Sequence, residues 1–330
     1  MGTDCSGQLA EQVRAAHASA DVLSICGAGS KPWRDRVSGA RLNVVEHNGV
    51  IAYDPGELVI VVRAGTTLSE LDSVLAEHGQ MLAAEPPNFG GAATVGGAIA
   101  LGWSGSRRPF AGALRDAVLG IRMLNGWGEV LSFGGQVMKN VAGFDVPRLL
   151  TGSLGRLGVI LDVSLRVVPV PPAEVTLRLQ CESSEIASSR VRAALQQGQP
   201  VTGGSFCDGV LRIRLAGHTS TLVHLSREWQ AEQEENEYWE RLQRLQVPAQ
   251  TATVRVDDWS GQLHWHFAEG RASVRHVVGQ RPVGLERGPG GTDAGSMLGQ
   301  LHGQLRAAFD PAAIFERPVP PEDNQGGHPQ

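Results

Sequence analysis

The sequence predicts an α+β protein in two units, a larger glycine-rich one and a smaller one whose helices lie on one face of a sheet. Three observations predict it. Of 330 residues 42 are glycine, and 16 of these fall between Gly90 and Gly158, a local excess over the usual share of about 7%. Apolar runs of strand type alternate with amphipathic stretches on both sides of residue 170. Three prolines, Pro169, Pro171 and Pro172, stand within four residues, where a sheet ladder cannot continue.

Residues 6–20 set Leu9, Val13 and Ala16 on one helical face, and residues 22–26 form a short buried strand that runs into the loop CGAGSKP. Strands follow at 43–45 and 58–64, the second a nearly continuous β-branched run of the kind buried on both faces. Next comes a helix. Thr67 and Glu70 give the T-x-x-E cap, Leu68, Leu71, Val74 and Leu75 the apolar stripe, and Gly79 the stop. Between Ala84 and Gly112 glycine and proline are too dense for anything but ordered loop with a short helix at 95–101. Strands at 117–124 and 129–133 flank the hairpin turn Asn125-Gly126-Trp127-Gly128. Val159, Leu161, Val163, Leu165 and Val167 then alternate along a long strand.

Beyond the prolines the pattern predicts a strand at 174–180, a helix at 184–195, strands at 210–215 and 220–225, a helix at 226–245 and a strand at 251–256. Residues 281–296 read as a glycine-rich exposed loop and 297–309 as a helix ending at Asp310-Pro311, with a disordered tail from Pro318. The expected domains are 1–170 and 171–317, with the tail at 318–330.

A net charge of −5 leaves no electrostatic footprint for nucleic acid or anionic lipid, so the expected partner is a small molecule or another protein. No run of about 18 uncharged apolar residues occurs and the first residues carry neither a basic region nor an apolar core, which predicts a cytoplasmic chain without a transmembrane helix or signal peptide. Cys5, Cys26, Cys181 and Cys207 form no C-x-x-C pair, which argues against a zinc or iron–sulfur site. His264-Trp265-His266 puts two imidazoles on one face of a strand, but no third ligand accompanies them, and the expected metal is none.

Nucleotide signatures narrow the chemistry. There is no G-x-x-x-x-G-K-[ST], which argues against a Walker-type NTPase. Gly27-Ala28-Gly29 follows a strand but lacks the third glycine of G-x-G-x-x-G and an acidic partner downstream, which argues against a Rossmann unit. What remains is a set of separated glycine-rich loops. Successive amides in such turns make concave anion sites, and a missing Cβ lets the chain approach a diphosphate closely. Hairpin geometry alone accounts for Gly126 and Gly128. It does not account for TVGGAIA, where each glycine costs about 1 kcal/mol relative to alanine if helical.

The segments CGAGSK, 53–169 and LRAAFDPAAIF resemble the FAD-binding subunits of bacterial glycolate oxidases, within the vanillyl-alcohol oxidase and p-cresol methylhydroxylase (PCMH) flavoprotein superfamily. The resemblance is dense over 20–170, resumes over 297–315 and is thin between; GGQVMKNVAGFD, residues 134–145, is its most specific piece. It implies an α+β fold with a two-subdomain FAD-binding PCMH-type domain followed by a smaller α+β cap-like domain. It also implies that Gly27, Ala28, Gly29, Ser30 and Lys31 form a first diphosphate loop, and Pro87, Gly91, Ala93, Thr94, Gly96 and Gly97 a second. Ser104, Gly105, Gly112, Arg115 and Asp116 would hold the loop that follows, and Gly155, Gly158, Val159 and Ile160 would meet the adenosine end. Lys139, Asn140 and Asp145 are left open between flavin site and scaffold.

The implied activity is oxidation of glycolate to glyoxylate by hydride transfer to flavin, with electrons passed to a homologous larger flavin subunit and an iron–sulfur subunit. The chain would not insert in the membrane, though a peripheral place at the inner membrane through the complex stays open. Several relatives attach FAD through a histidine in the first loop. Ser30 stands in that region here and Cys26 is the nearest nucleophile, so non-covalent FAD is expected. Cys26 stands where arginine is usual, Ala28 replaces a glycine, and FERPVP replaces the FNPGR-type ending. No H-x-x-x-G-N-x-H cap motif is present, which leaves the catalytic base unassigned. Two alternatives remain: a stand-alone flavin oxidoreductase acting on another alcohol or sugar, and a non-catalytic assembly subunit. The charged stretch 227–244 is a candidate partner surface, and Arg107-Arg108 suits either phosphate contact or plain exposure.

Overall fold

The computed structural model describes residues 2–30, 39–135, 144–207, 209–244, 252–253, 262–268, 271–278 and 297–315. Helix α1 (Ser6–Ser19) buries Leu9, Ala10, Val13 and Ala16, the face that its spacing requires. Strand β1 (Leu23–Cys26) pairs in parallel with β2 (Ala40–Asn43). The strand expected at 43–45 lies at 40–43 instead, ending where the Asn43 side-chain oxygen accepts from the Val45 amide (3.1 Å) and turns the chain. Strands β3 (Val50–Asp54) and β4 (Val59–Arg63) precede α2 (Leu68–Ala76), whose Thr67–Glu70 capping box forms as predicted. Then come β5 (Gln80–Met81), α3 (Val95–Leu101), α4 (Arg108–Ala111), α5 (Leu114–Ala117), β6 (Val118–Leu124), β7 (Val130–Gly134), α6 (Val146–Leu150), β8 (Val159–Arg166) and β9 (Val168–Pro169).

The first unit therefore holds the parallel β1–β2 pair, an antiparallel sheet of order β3-β4-β8-β6-β7 and a short antiparallel β5–β9 pair. In the register Ile60 faces Leu165 and Val62 faces Val163. One apolar core joins these strands to α1, α2 and α3, with Val13, Leu42, Leu71, Leu75, Ile99 and Leu161 all buried. Ile314 and Phe315 return to this core, held by the buried Asp310 carboxylate, which accepts from both of their amides (2.9 and 3.0 Å). Phe315 also bridges to Leu23 of β1.

The second unit runs β10 (Ala173–Gln180), α7 (Ser184–Gln196), β11 (Val201–Cys207), β12 (Val210–Gly217), α8 (Thr219–Glu228), β13 (Glu232–Glu234), α9 (Glu237–Gln243) and β14 (Ala252–Thr253). Its sheet has the order β13-β10-β12-β11-β14, over a separate core around Leu177, Val191, Leu211, Ile213 and Leu215. The mixed α+β class is as the sequence predicts. Strands β15 (Gln262–Ala268) and β16 (Arg271–Val278) pair as a hairpin, with His264 opposite His276, and α10 (Met297–Phe309) follows.

Two expectations in the second unit are corrected. Residues 220–225 are helical, not a strand: Leu222, Leu225 and Ser226 are the buried positions of α8, a helical spacing. The expected helix at 226–245 is broken, because Gln230 takes a left-handed φ of 48° and residues 232–234 add to the sheet beside β10 before α9 begins. The expected loop at 281–296, the tail from 318 and most of the strand at 251–256 lie outside the described residues.

Beneath the sheet, Cys5 N–H donates to Nδ1 of the fully buried His47 (3.0 Å), so the ring carries its proton on Nε2, which donates to Asp162 Oδ1 (2.9 Å). Asp162 of β8 also accepts from Arg122 Nε. Asp162→Ala leaves an imidazole N–H buried without an acceptor, and should destabilise the chain by about 1–3 kcal/mol. Urea unfolding should show a lower midpoint with an unchanged slope.

Candidate functional site

Strand β1, buried on both faces at Leu23 and Ser24, ends at Cys26 on the wall shared with α3 and β8. The Cys26 thiol is turned back on Ser24, donating to its carbonyl (3.4 Å). A Cβ on Gly27 would stand 2.7 Å from Thr94 Oγ1, so only glycine lets the first loop close on the start of α3. Thr94 caps that helix by accepting from the Gly97 amide (3.3 Å). Gly96 in turn donates to the Ala64 carbonyl (2.8 Å), and a Cβ there would lie 2.6 Å from the Ala64 Cβ. Three segments distant in sequence thus meet at near-backbone contact.

Between them lies a cleft of about 160 Å³ lined by Gly27, Ala28, Gly29, Ser30, Thr94, Gly96, Gly97, Gly155, Gly158 and Ile160, all expected site residues. Ser24, Ile25, Cys26, Val44, Ala64, Ala100, Leu101 and Leu154 complete its wall, and no charged side chain is among them. The Gly27 and Ala28 amides donate no hydrogen bond among the described residues. Unspent amides and close backbone in an apolar wall fit a dinucleotide whose diphosphate is held by main-chain N–H groups.

The other expected residues sit elsewhere. Val159 is buried in the sheet opposite Leu124, Pro87 is buried, and the buried Ala93 takes the Leu68 amide on its carbonyl (2.8 Å). The Gly91 carbonyl accepts from Ser69 Oγ (3.1 Å). Ser104 Oγ is fully buried and accepts from the Leu114 amide (2.8 Å). Gly105 lies on the Glu85 backbone, where a Cβ would come within 2.3 Å of its carbonyl oxygen. Gly112 ends α4, and Asp116 accepts from the Ala113 amide (3.0 Å) at the start of α5. Arg115 lines a neighbouring cavity. Asp145 caps α6 through the Arg148 amide (3.3 Å); Lys31, Lys139 and Asn140 lie outside the described residues. Sequence reasoning missed all eight of the remaining wall residues, Ala64 and Leu154 among them. A small residue just after the strand run 59–63 was the one available sign of Ala64; Leu154, at a φ of 57°, gave none.

The second loop is also where the two units lock. Glu85 accepts from Arg107 Nε (2.6 Å) and from Arg214 Nη2 (2.8 Å) of β12, while Arg107 also bonds Glu174 of β10. Burial pushes the Glu85 carboxyl up, but the Arg214 and Arg107 guanidiniums outweigh it and hold the group below its ordinary range. Arg107 is therefore neither a phosphate ligand nor a solvent-exposed charge. Gln243 of α9 adds a bond to the Pro86 carbonyl (3.3 Å).

Such a cleft, built between two α+β subdomains from separated glycine loops, defines an FAD-binding protein, and the FAD binding domain family model matches residues 4–134. The chain belongs to the family of glycolate oxidase subunit GlcE, the Escherichia coli (strain K12) member being 35% identical over 94% of this chain and 96% of its own. Glycolate oxidase subunit GlcD of Bacillus subtilis (strain 168) is 27% identical over 52% of this chain, and D-lactate dehydrogenase of Anaerostipes hadrus 30% identical over 44%. These alignments span only 39% and 30% of those two proteins. The fold is shared with alkyldihydroxyacetonephosphate synthase, at a TM-score of 0.59 and 18% identity over 73% of this chain and 53% of that one. No helix among the described residues is long and apolar enough to cross a membrane.

Proposed function

We propose that this chain is the FAD-holding subunit of a glycolate oxidase complex that converts glycolate to glyoxylate and passes the electrons to a larger homologous flavin subunit and an iron–sulfur subunit. The observation that carries this reading is the extent of its similarity to glycolate oxidase subunit GlcE, which runs through both units and the C-terminal segment. Residues 1–170 form the FAD domain and 171–317 the reduced cap with a C-terminal segment, whose Ile314 and Phe315 pack back into the FAD-domain core. FAD, when bound, supplies a two-electron acceptor at the substrate carbon. The residues of this chain hold and shield it: Gly27, Ala28 and Gly97 offer backbone to the diphosphate, and the cap, locked at Glu85, limits water access. Co-expression with the two partner subunits tests the reading. Glycolate should bleach the flavin of the complex and reduce an added dye, and omission of this chain should abolish dye reduction. A chain that takes up no FAD and leaves glycolate-dependent dye reduction unchanged when omitted would refute it.

FAD is held without a covalent bond. The first loop offers no histidine among residues 26–30, and the Cys26 thiol is engaged by Ser24. Acid precipitation should therefore leave the yellow colour in the supernatant; a yellow pellet is the contrary result.

A further inference from the structure

Beside the dinucleotide cleft, and sharing Leu101 with it, is a second cavity of about 530 Å³ between α4, α5, the α6–β8 loop and α10. That volume lies within the range of small-molecule sites. Arg108, Arg115, Arg148, Arg156 and Arg306 line it, and no aspartate or glutamate is in the lining. Three aspartates stand nearby. Asp116 approaches Arg115 (3.9 Å) and Arg148 (3.8 Å), Asp145 approaches Arg148 (3.4 Å), and Asp310 approaches Arg306 (3.9 Å). Arg108 makes no ion pair within 4 Å among the described residues, and burial, followed by the like charge of Arg115, pushes its guanidinium below the ordinary arginine range against the weaker pull of Asp116. Ser153 Oγ, on the same wall, is buried without a hydrogen-bond partner. Gathering like charges around a partly desolvated space is unfavourable unless a counter-charge enters it.

We propose that this cavity is a binding site for a small carboxylate or phosphate anion, separate from the dinucleotide cleft. The guanidinium fork matches the paired oxygens of either group, and Ser153 adds a neutral donor. The arginines come from α4, α5, α6, the α6–β8 loop and α10, so an anion there also ties the C-terminal helix to the first unit.

The test is calorimetric titration of the full chain, with and without saturating FAD, using oxalate or inorganic phosphate at constant ionic strength against sodium chloride. Saturable binding of one anion per chain is expected with at least one of the two, equally tight with FAD present; which of them binds distinguishes a carboxylate ligand from a phosphate ligand. Arg108→Met should weaken that binding by about tenfold or more, the loss of one charged hydrogen-bonding partner, with flavin absorbance per chain unchanged. Arg148→Gln, at a half-exposed position, should do the same, and carries the test if the first variant fails to fold. Binding no tighter than chloride, affinity retained in the folded variants, or anion displaced by FAD would overturn the proposal, the last by giving the arginines to the cofactor.

Discussion

Glu85→Ala should lower the thermal midpoint by roughly 4–7 °C. Arg214 is 3% exposed, stacks its guanidinium 4.7 Å over the Trp239 ring, and reaches Glu85 at 2.8 Å. Removing the carboxylate leaves Arg214 and Arg107 with Glu174 as their remaining acid, and breaking one side of a buried pair costs about 3–5 kcal/mol. At an unfolding entropy of about 2.1 cal/mol/K per residue, each kcal/mol moves the midpoint of a chain this long by about 1.4 °C. The loss should appear in both units, because Glu85 and Arg107 belong to the first and Glu174 and Arg214 to the second. Glu85→Gln keeps an acceptor and should lose less. The dependence on pH follows from the depressed carboxyl. Its stabilisation is complete above the ordinary glutamate value of 4.5 and is lost as pH falls through the lower folded value. The gap between wild type and Glu85→Ala should therefore narrow below that pH. Differential scanning calorimetry across an acid series measures both; a gap that is small at neutral pH, or that widens in acid, would contradict the network's role.

The parts of this molecule legible in sequence are those whose signals are local. The capping box at Thr67 and the strand β8 each sit within a few residues, and each forms as read. Strand β11 escaped because Gly203 and Gly204 dilute its pattern. Gly203 is needed there, since a Cβ would stand 3.1 Å from the Trp239 ring and 3.2 Å from the Arg214 side chain. In α8 the run Thr221-Leu222-Val223 suggests a strand, and only the burial of Leu222 and Leu225 against β10 and β12 decides for helix. Asp162 lay hidden in an apolar alternation because its partners, His47 and Arg122, are 115 and 40 residues away. The arginine cavity is likewise assembled from positions 108 to 306, and no sequence window contains it.

Gly96→Ala should reduce bound FAD at least about tenfold, equivalent to roughly 1.4 kcal/mol of lost affinity. The added methyl would start 2.6 Å from the Ala64 Cβ and 3.1 Å from the Ala64 carbonyl oxygen. Neither neighbour can swing aside. Ala64 is fixed by its own amide bond to the Leu161 carbonyl (2.7 Å), and its carbonyl already receives the Gly96 amide (2.8 Å). Helix α3 must therefore lift from the end of β4, at the about 1–3 kcal/mol typical of overpacking. It carries with it Thr94 and Gly97, which face Gly27 across the cleft. The ratio of flavin to protein absorbance after gel filtration reads the loss, and circular dichroism should show the fold retained. Gly7→Ala is the contrast, because nothing lies within 4 Å of a Cβ at that helical position, so flavin content should stay constant while stability rises by up to about 1 kcal/mol. If the clash itself is the cause, Ala64→Gly in the Gly96→Ala background removes the opposing methyl and should restore most of the bound FAD. Full FAD content in the single variant, or no recovery in the double, would mean that the contact between α3 and β4 does not set the width of the cleft.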